Sequence, residues 1–344
     1  MSDLTTRKLA GVATLLRSAG VEVAAPLRAT LIAGGRSNLT FRLEDGAHRW
    51  VLRMPPRAGR TPSAHDVVRE HRVTSALGRS GVPVPPALVL EQDESVIGAP
   101  FTVAGWVEGR TVQSRSDLDA LDDAVVTAVG DRLVETLAAL HRVDHVAVGL
   151  ERFGRPDGYA ARQLRRWSGQ WELVGDYDAP TRAAAAALEA RLAAALPEQR
   201  AVGIVHGDYR IDNTLLRFNG DAPEVAAVVD WELSTIGDPV ADLAMMCAYR
   251  HPAFDLIMGN PSAWTSPRLP DAGSLAAAYE AAGGVKLVDW GLHRALAYYK
   301  VAVIAAGIDH RHRAGVGSGP GFDSAGRSVP EFLAAGLHAL RVDA

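Results

Sequence analysis

The chain has 344 residues, 48% of them hydrophobic and 22% charged, with a formal net charge of -4 at pH 7. That size suits one two-lobed globule or two domains with a sizeable core, and the mild acidity argues against a nucleic-acid partner. No apolar run reaches membrane-spanning length, the polar start MSDLTTRKLAG lacks a signal peptide's apolar centre, and the single cysteine, Cys247, excludes an internal disulfide and fits a reducing cytoplasm.

Apolar residues at helical spacing predict a helix over Leu4 to Ser18, closed by Gly20. Strand-like runs follow at Leu27 to Ala33, Leu39 to Leu43 and Arg49 to Met54, the last two joined by a two-residue Asp45-Gly46 hairpin turn. Between the first two lies GGRSN, Gly34 to Asn38, which by residue type alone is a turn. In VLRMPP the alternation sets Val51 and Arg53 on one face. The segment SAHDVVREHRVTSALGRSG predicts a helix opened by Ser63, with Asp66 three residues on, and ended by Gly81; Glu70 sits in its middle. VPVPPALVL breaks that helix and starts another strand, and APFTVAGWVEGR, Ala99 to Arg110, supplies the next.

Beyond Arg110 the chain reads as mainly helical. Ser116 to Val143 is a long amphipathic segment, and Phe153 to Glu172 is a basic and aromatic helix with Arg162, Arg165, Arg166, Trp167 and Trp171, capped by Asp157. An Ala-rich surface helix spans Thr181 to Leu196, and later helical segments fall at Ser274 to Ala282, Trp290 to Ile308 and Val329 to Val342. Arg-rich and His-rich runs, RQLRRW at Arg162 to Trp167 and DHRHR at Asp309 to Arg313, are either solvated helix faces or a surface for an anionic ligand.

The chemistry concentrates in IVHGDYRIDNTLLRFNGDAPEVAAVVDWE, Ile204 to Glu232. An apolar strand delivers His206, Gly207 and Asp208; Asn213 follows five residues later; a second pair of strands ends in Asp230. Two carboxylates and an amide on strand ends suit a hard cation and a hydroxyl awaiting deprotonation, the parts that phosphoryl transfer asks for. Protein kinases hold them as an Asp, an Asn five residues on and the Asp of a later short motif.

With HGDxxxxN matched by His206 to Asn213, DWE by Asp230 to Glu232 and GDPVADLA by Gly237 to Ala244, the chain resembles the aminoglycoside phosphotransferase-like small-molecule kinases. The Phe153 to Glu172 segment and the VLRMPP variant make it look closest to the kinase-like domains associated with acyl-CoA dehydrogenases, a resemblance covering nearly the whole chain.

The resemblance implies an α+β, protein kinase-like bilobal fold, with a small N-terminal antiparallel β lobe and a larger, mainly helical C-terminal lobe. The division expected is 1–105 and 106–344, with the catalytic loop at 204–216 and the metal-binding DWE segment at 228–244. It implies ATP and Mg²⁺ as cofactors. Asp208 becomes the catalytic base or hydroxyl orienter, Arg210 a group near the transferring phosphate, and Asn213 and Asp230 the metal ligands. His206 and Asp242 become structural organisers of the catalytic loop, and His141 a structural residue. Asp238 before Pro239 reads as a helix N-cap.

In the N-terminal lobe, Ser37 and Asn38 would cover the ATP phosphates. Arg53 stands where the family carries Lys and, with Glu70, would clamp them, although a strand Arg and a solvated helix Glu are the ordinary alternatives. Backbone at Gly105, Trp106 and Val107 would bind the adenine edge, Trp106 being otherwise core. Glu232 either serves a second metal through water or is a surface carboxylate. The acceptor expected is a small-molecule hydroxyl, CoA-linked or a related hydroxy acid. The alternatives are an aminoglycoside or other antibiotic, and a nucleotide-binding pseudokinase without activity.

Overall fold

The computed structural model describes residues 4–33, 38–55, 66–220 and 222–342. By its contacts the chain divides into two units, Met1–Gly109 with Ala226–Ser234, and Arg110–Val225 with Thr235–Ala344. The expected single cut after residue 105 therefore falls four residues early and misses an excursion. The excursion has a physical cause in the first unit: Trp231 is fully buried, Val228 N–H donates to Pro83 O at 2.8 Å, and Arg69 Nε donates to Ser234 O at 2.8 Å.

In the first unit, α1 (Thr6–Ser18) is capped by the Thr5 hydroxyl and buries Leu9, Val12 and Leu16 at a spacing of three and four residues. Five strands, β1 (Arg28–Ala33), β2 (Leu39–Glu44), β3 (Arg49–Met54), β4 (Ala87–Glu91) and β5 (Phe101–Gly105), form one antiparallel sheet in the order β1-β2-β3-β5-β4. Period-two patterning decides which side is core. Trp50, Leu52 and Met54 of β3 are buried with Phe41, Leu43, Phe101 and the apolar face of α1, while Val51 and Arg53 stand on the other face. Each such side chain, fully buried, contributes roughly 1.5–3 kcal/mol.

Two expectations in this unit need correcting. The β2–β3 connection is four residues, 45–48, rather than an Asp-Gly turn. Asp45 prolongs it by accepting the Ala47 and His48 amides at 2.9 and 2.7 Å and tying the loop to Ala24 N–H at 2.6 Å. The helix α2 (Val67–Leu77) starts at Asp66, whose carboxylate accepts Arg69 N–H at 2.9 Å, and ends at Gly78; the expected opener Ser63 lies outside the described residues.

In the second unit, the expected Ser116–Val143 helix is two helices, α3 (Arg115–Asp119) and α4 (Asp123–His141). A Ser114–Asp117 capping box starts the first, and the chain leaves it at Ala120 before Asp122 opens the second. α5 (Tyr159–Val174) is entered through Gly158 at φ 63°, not capped by Asp157; Gln199 Oε1 accepts the Tyr159 amide at 3.0 Å instead. α6 (Ala179–Ala194) follows, capped by Asp178.

Then come β6 (Gly203–Val205), β7 (Thr214–Asn219), β8 (Ala222–Val228) and β9 (Thr235–Gly237), with β6 paired to β9 and β7 to β8. The remaining helices are α7 (Val240–Ala248), α8 (Phe254–Met258), α9 (Ala272–Ala281), α10 (Trp290–Arg313) and α11 (Val329–Val342). α10 runs five residues past the expected Ile308. Its buried alanines, Ala295, Ala302, Ala305 and Ala306, leave room for α5, α7 and α11 to pack against it. Among the described residues no helix is long and apolar enough to cross a membrane.

Candidate active site

The second unit presents the HGD segment on a rigid support. β6 is buried throughout and pairs with β9 through Ile204 and Ile236, and the chain leaves it through Gly207 at φ 89°, a conformation that favours glycine. Beneath the loop lies Asp242 of α7, wholly buried. Its Oδ2 accepts His206 N–H at 2.6 Å and its Oδ1 accepts Gly207 N–H at 2.7 Å. His141 Nε2 lies 3.3 Å from Asp242 Oδ2, and its Nδ1 lies 2.7 Å from the Tyr279 hydroxyl. Burial pushes the Asp242 carboxyl up, but His141, His206 and the Gly207 amide outweigh it and hold it below its usual value. A buried carboxylate satisfied by two backbone amides and an imidazole fixes the backbone of the loop.

That backbone sets the two reactive side chains. Asn213, on the single 3₁₀ turn Ile211–Asn213, donates Nδ2 to the Asp208 carbonyl at 2.8 Å and to Asp208 Oδ2 at 3.0 Å. Its Oδ1 is an oxygen of the hard kind that suits a divalent cation. Asp208 N–H is received by His206 Nδ1 at 3.2 Å. Burial raises the Asp208 carboxyl, but Arg210 first, then the Tyr249 hydroxyl, His206 and Lys300, bring it net below its usual value, so it is ionised at neutral pH.

Arg210 is held by Asp208 at 3.3 and 3.4 Å and by Asp212, and lies over the Tyr249 and Phe254 rings. With two carboxylates on its guanidinium, it holds Asp208 in place. Lys300 of α10 donates Nζ to the Gly207 carbonyl at 3.2 Å.

The first unit carries a charged cluster of its own. Arg53 Nη1 donates to Glu70 Oε1 at 2.7 Å and Nη2 to Asp230 Oδ1 at 3.1 Å, so one guanidinium spans β3, α2 and the DWE segment. The β3–α2 clamp expected from the sequence is formed, and the exposed-strand alternative for Arg53 is not. Glu70 is 7% exposed, and burial raises its carboxyl against the opposing charge of Arg53. Arg53 Nε and Glu70 Oε2 are buried without a partner among the described residues. Such orphaned polar atoms mark a place where a further group fits, and a guanidinium N–H suits a phosphate oxygen. Asp230 sits at φ 66°, ψ 57°, a left-handed conformation costly for a residue with a Cβ, with the next side chain, Trp231, wholly buried and bonded to Val228 O. The strain turns the Asp230 carboxylate toward Arg53, and Glu232 adds negative charge to the same cluster.

Of the other sites named from sequence, Ser37 lies outside the described residues. Asn38 is buried, 2% exposed, and neither amide atom has a partner among the described residues. Gly105 N–H already donates to Pro86 O at 2.8 Å, and no backbone hydrogen bond of Trp106 or Val107 is seen among the described residues. Trp106 is half-buried beneath Arg49, 5.3 Å from its ring centre, rather than core.

The profile of the phosphotransferase enzyme family (APH) matches residues 28–298. A crystal structure of a candidate aminoglycoside phosphotransferase from Ralstonia eutropha JMP134 is 31% identical, with a TM-score of 0.82 over 96% of this chain and 98% of that one. The chain belongs to the phosphotransferase enzyme family.

Its fold is the kinase-like fold of that family, shared with APH(4)-Ia in complex with AMP-PNP and hygromycin B at TM-score 0.60 and 17% identity, over 90% of this chain and 93% of that one. Among curated proteins, human acyl-CoA dehydrogenase family member 11 is 34% identical over 300 residues and mouse family member 10 is 33% identical over 303. Those matches cover 86% and 87% of this chain but 38% and 28% of the two relatives, so the phosphotransferase chain spans about a third of their length.

Within this member of the phosphotransferase enzyme family, sequence reasoning missed Lys300, Tyr249, Asp212 and the pairing of His293 with Asp238, which it had read only as a cap. Lys300 carried a signal. It is one of three lysines in a chain whose other cations are arginines, and it lies in an apolar helical run. The charge run DHRHR, in contrast, is partly neutralised within the protein: Arg313 meets Asp309 at 3.0 Å and Asp176 at 3.5 Å, and Tyr177 donates to Asp309 at 2.9 Å.

Proposed function

We propose that this phosphotransferase transfers the γ-phosphoryl group of ATP, with Mg²⁺, to a hydroxyl of a small molecule. The observation that carries the reading is the Asp208–Asn213 pair hung from the buried Asp242. Bound ATP and Mg²⁺ supply the phosphoryl group and neutralise its charge. Asn213 Oδ1 and the Asp230 carboxylate are the oxygens that would hold the metal, and the Arg53 guanidinium, steadied by Glu70, would hold phosphate oxygens. Asp208 accepts the hydrogen bond of the acceptor hydroxyl and points its lone pair. Because its carboxyl is held below the usual range, it is a weak base, and its contribution is orientation, as the loose transition state of phosphoryl transfer allows. Trp106 and Val107 offer the backbone donor and acceptor for the adenine edge, now that the Gly105 amide is engaged.

For the acceptor we infer a hydroxyacyl-CoA or a related hydroxy acid over an aminoglycoside. The support is that curated relatives at 33–34% identity over most of this chain are acyl-CoA dehydrogenase family members, whereas the neighbour seen with an aminoglycoside, APH(4)-Ia with hygromycin B, is 17% identical and the 31% identical structure carries the aminoglycoside name only as a candidate. The pairing of Arg53 with Glu70 supports the active reading over the pseudokinase alternative, which rests on Arg53 standing in place of Lys.

The test is transfer of label from γ-labelled ATP to a panel of hydroxyacyl-CoAs, hydroxy acids, aminoglycosides and macrolides, with Asp208→Asn alongside. Label on one acceptor class, lowered by about 10² or more in the variant while its melting temperature holds, is the expected result. ATP binding without label on any acceptor, or full turnover in Asp208→Asn, overturns the assignment.

A further inference from the structure

Within the second unit, α5, α7 and α10 enclose a partly open cavity of about 30 Å³ that the chemistry above does not use. Its wall is mostly apolar, from residues such as Trp167 and Ala297, with Tyr159, Gln163, Asp238, His293 and Lys300 bringing polar groups. Asp238 is 1% exposed. Its Oδ1 accepts Val240 N–H at 3.1 Å, while Oδ2 has no hydrogen-bond partner among the described residues. His293 Nε2 is 3.9 Å from that oxygen, too far for a hydrogen bond, and burial holds its imidazole down to about 4, so it is neutral at pH 7. Lys300, the other charged group of the wall, donates Nζ to the Gly207 carbonyl and lies 5.8 Å from the Trp167 ring centre. The cavity is thus one side chain away from the residue that precedes Asp208.

Size and charge restrict what fits. At that volume the space holds about two waters, which is a group of two or three heavy atoms. An anion would face Asp238 and a cation would face Lys300, both in a site of low dielectric, whereas a neutral donor meets Oδ2 without placing an unpaired charge in it. We propose that this cavity is the subsite for a small, neutral, hydrogen-bond-donating end of the acceptor, of hydroxymethyl or carboxamide size, whose donor satisfies Asp238 Oδ2. Calling the ligand an acceptor rests on the kinase reading; the binding preference does not.

Three probes of like shape but different charge and donor set test it, acetamide, acetate and acetamidinium, each entering by its three-atom polar end with the methyl at the open side, titrated at neutral pH while the indole N–H of Trp167 is followed by ¹⁵N NMR. That N–H donates to Gln163 at 3.1 Å, so it reports on the cavity. Acetamide is expected to shift it saturably in the millimolar range, with the two ions at least about tenfold weaker. Ala297→Leu, which fills the cavity, is expected to abolish the shift with melting preserved. If that variant does not fold, Ala241→Val on the same wall decides the matter by weakening the shift.

No saturable acetamide shift, an ion binding as tightly as acetamide, or undiminished binding in the folded filled variants overturns the subsite. None of these readouts needs nucleotide or transfer, so they succeed or fail apart from the Asp208→Asn result. Once the label panel gives an acceptor, acetamide should raise its KM and leave that of ATP unchanged; absence of competition overturns the acceptor assignment alone.

Discussion

At the scale of single residues, two buried carboxyls show how the same fold treats an acid with a partner and an acid without one. Asp242 receives two amides and an imidazole and stays low; Asp238 receives one amide, and burial raises it to about 6. A carboxyl whose folded value lies above its unfolded one contributes stability that is fully present below about pH 4 and is lost as pH rises through about 6. Stability should therefore fall by about 2–3 kcal/mol across that window, and Asp238→Asn, which carries no charge, should flatten the fall in urea denaturation followed against pH.

Arg53 gives the complementary case. Arg53→Met leaves Glu70 buried without its cation and should cost about 3 kcal/mol near pH 8. Glu70, raised by burial to about 7 even beside Arg53, rises further without it. The loss should therefore shrink toward pH 6 as the carboxyl takes up a proton. A loss independent of pH would show that Glu70 is not the group stranded.

At the scale of elements, the site depends on caps and anchors. Asp66→Ala removes the acceptor for Arg69 N–H at the start of α2 and should cost about 1 kcal/mol in chemical denaturation, loosening the helix that presents Glu70. Asp242→Ala leaves the His206 and Gly207 amides buried and unmet. It should raise their hydrogen exchange and cost more than the Asp66 cap, because unsatisfied buried donors bear the full desolvation penalty.

The strands of the first unit and the HGD loop were legible in the sequence because period-two apolar runs and a fixed Asp-to-Asn spacing are local signals. What misled was also local. Asp45-Gly46 has the composition of a tight turn, but Asp45 instead receives amides from 47, 48 and the distant Ala24. Asp157 had the right type for a cap, yet Gly158 and Gln199 took that role. Asp238 was legible as a cap and Lys300 as a rare lysine, but their meeting places were not, because a helix of apolar and basic residues does not say which cation meets a loop 93 residues earlier.

At the scale of the molecule, the excursion of Ala226–Ser234 into the first unit is the organising fact. A protein of residues 1–109 alone lacks Trp231, which is wholly buried, and lacks the second carboxylate of Arg53. Such a fragment should show broad, poorly dispersed NMR signals, and joining residues 226–234 to it through a flexible linker should restore a cooperative transition. A well-folded 1–109 fragment would contradict that role for the excursion.

The same excursion orders events during synthesis. The first strands leave the ribosome early, yet the segment that carries Trp231 against α2 is encoded after every helix that precedes the HGD loop. At about 5–20 residues per second, Ser234 emerges roughly 6 to 25 s after Gly109. For that interval the nascent unit, still without Trp231, must be shielded from other chains. The amino-terminal unit, first to be begun, therefore stays unfinished until Ser234 is made, and its yield in the cell should depend on holdase chaperones more than its own content of secondary structure suggests.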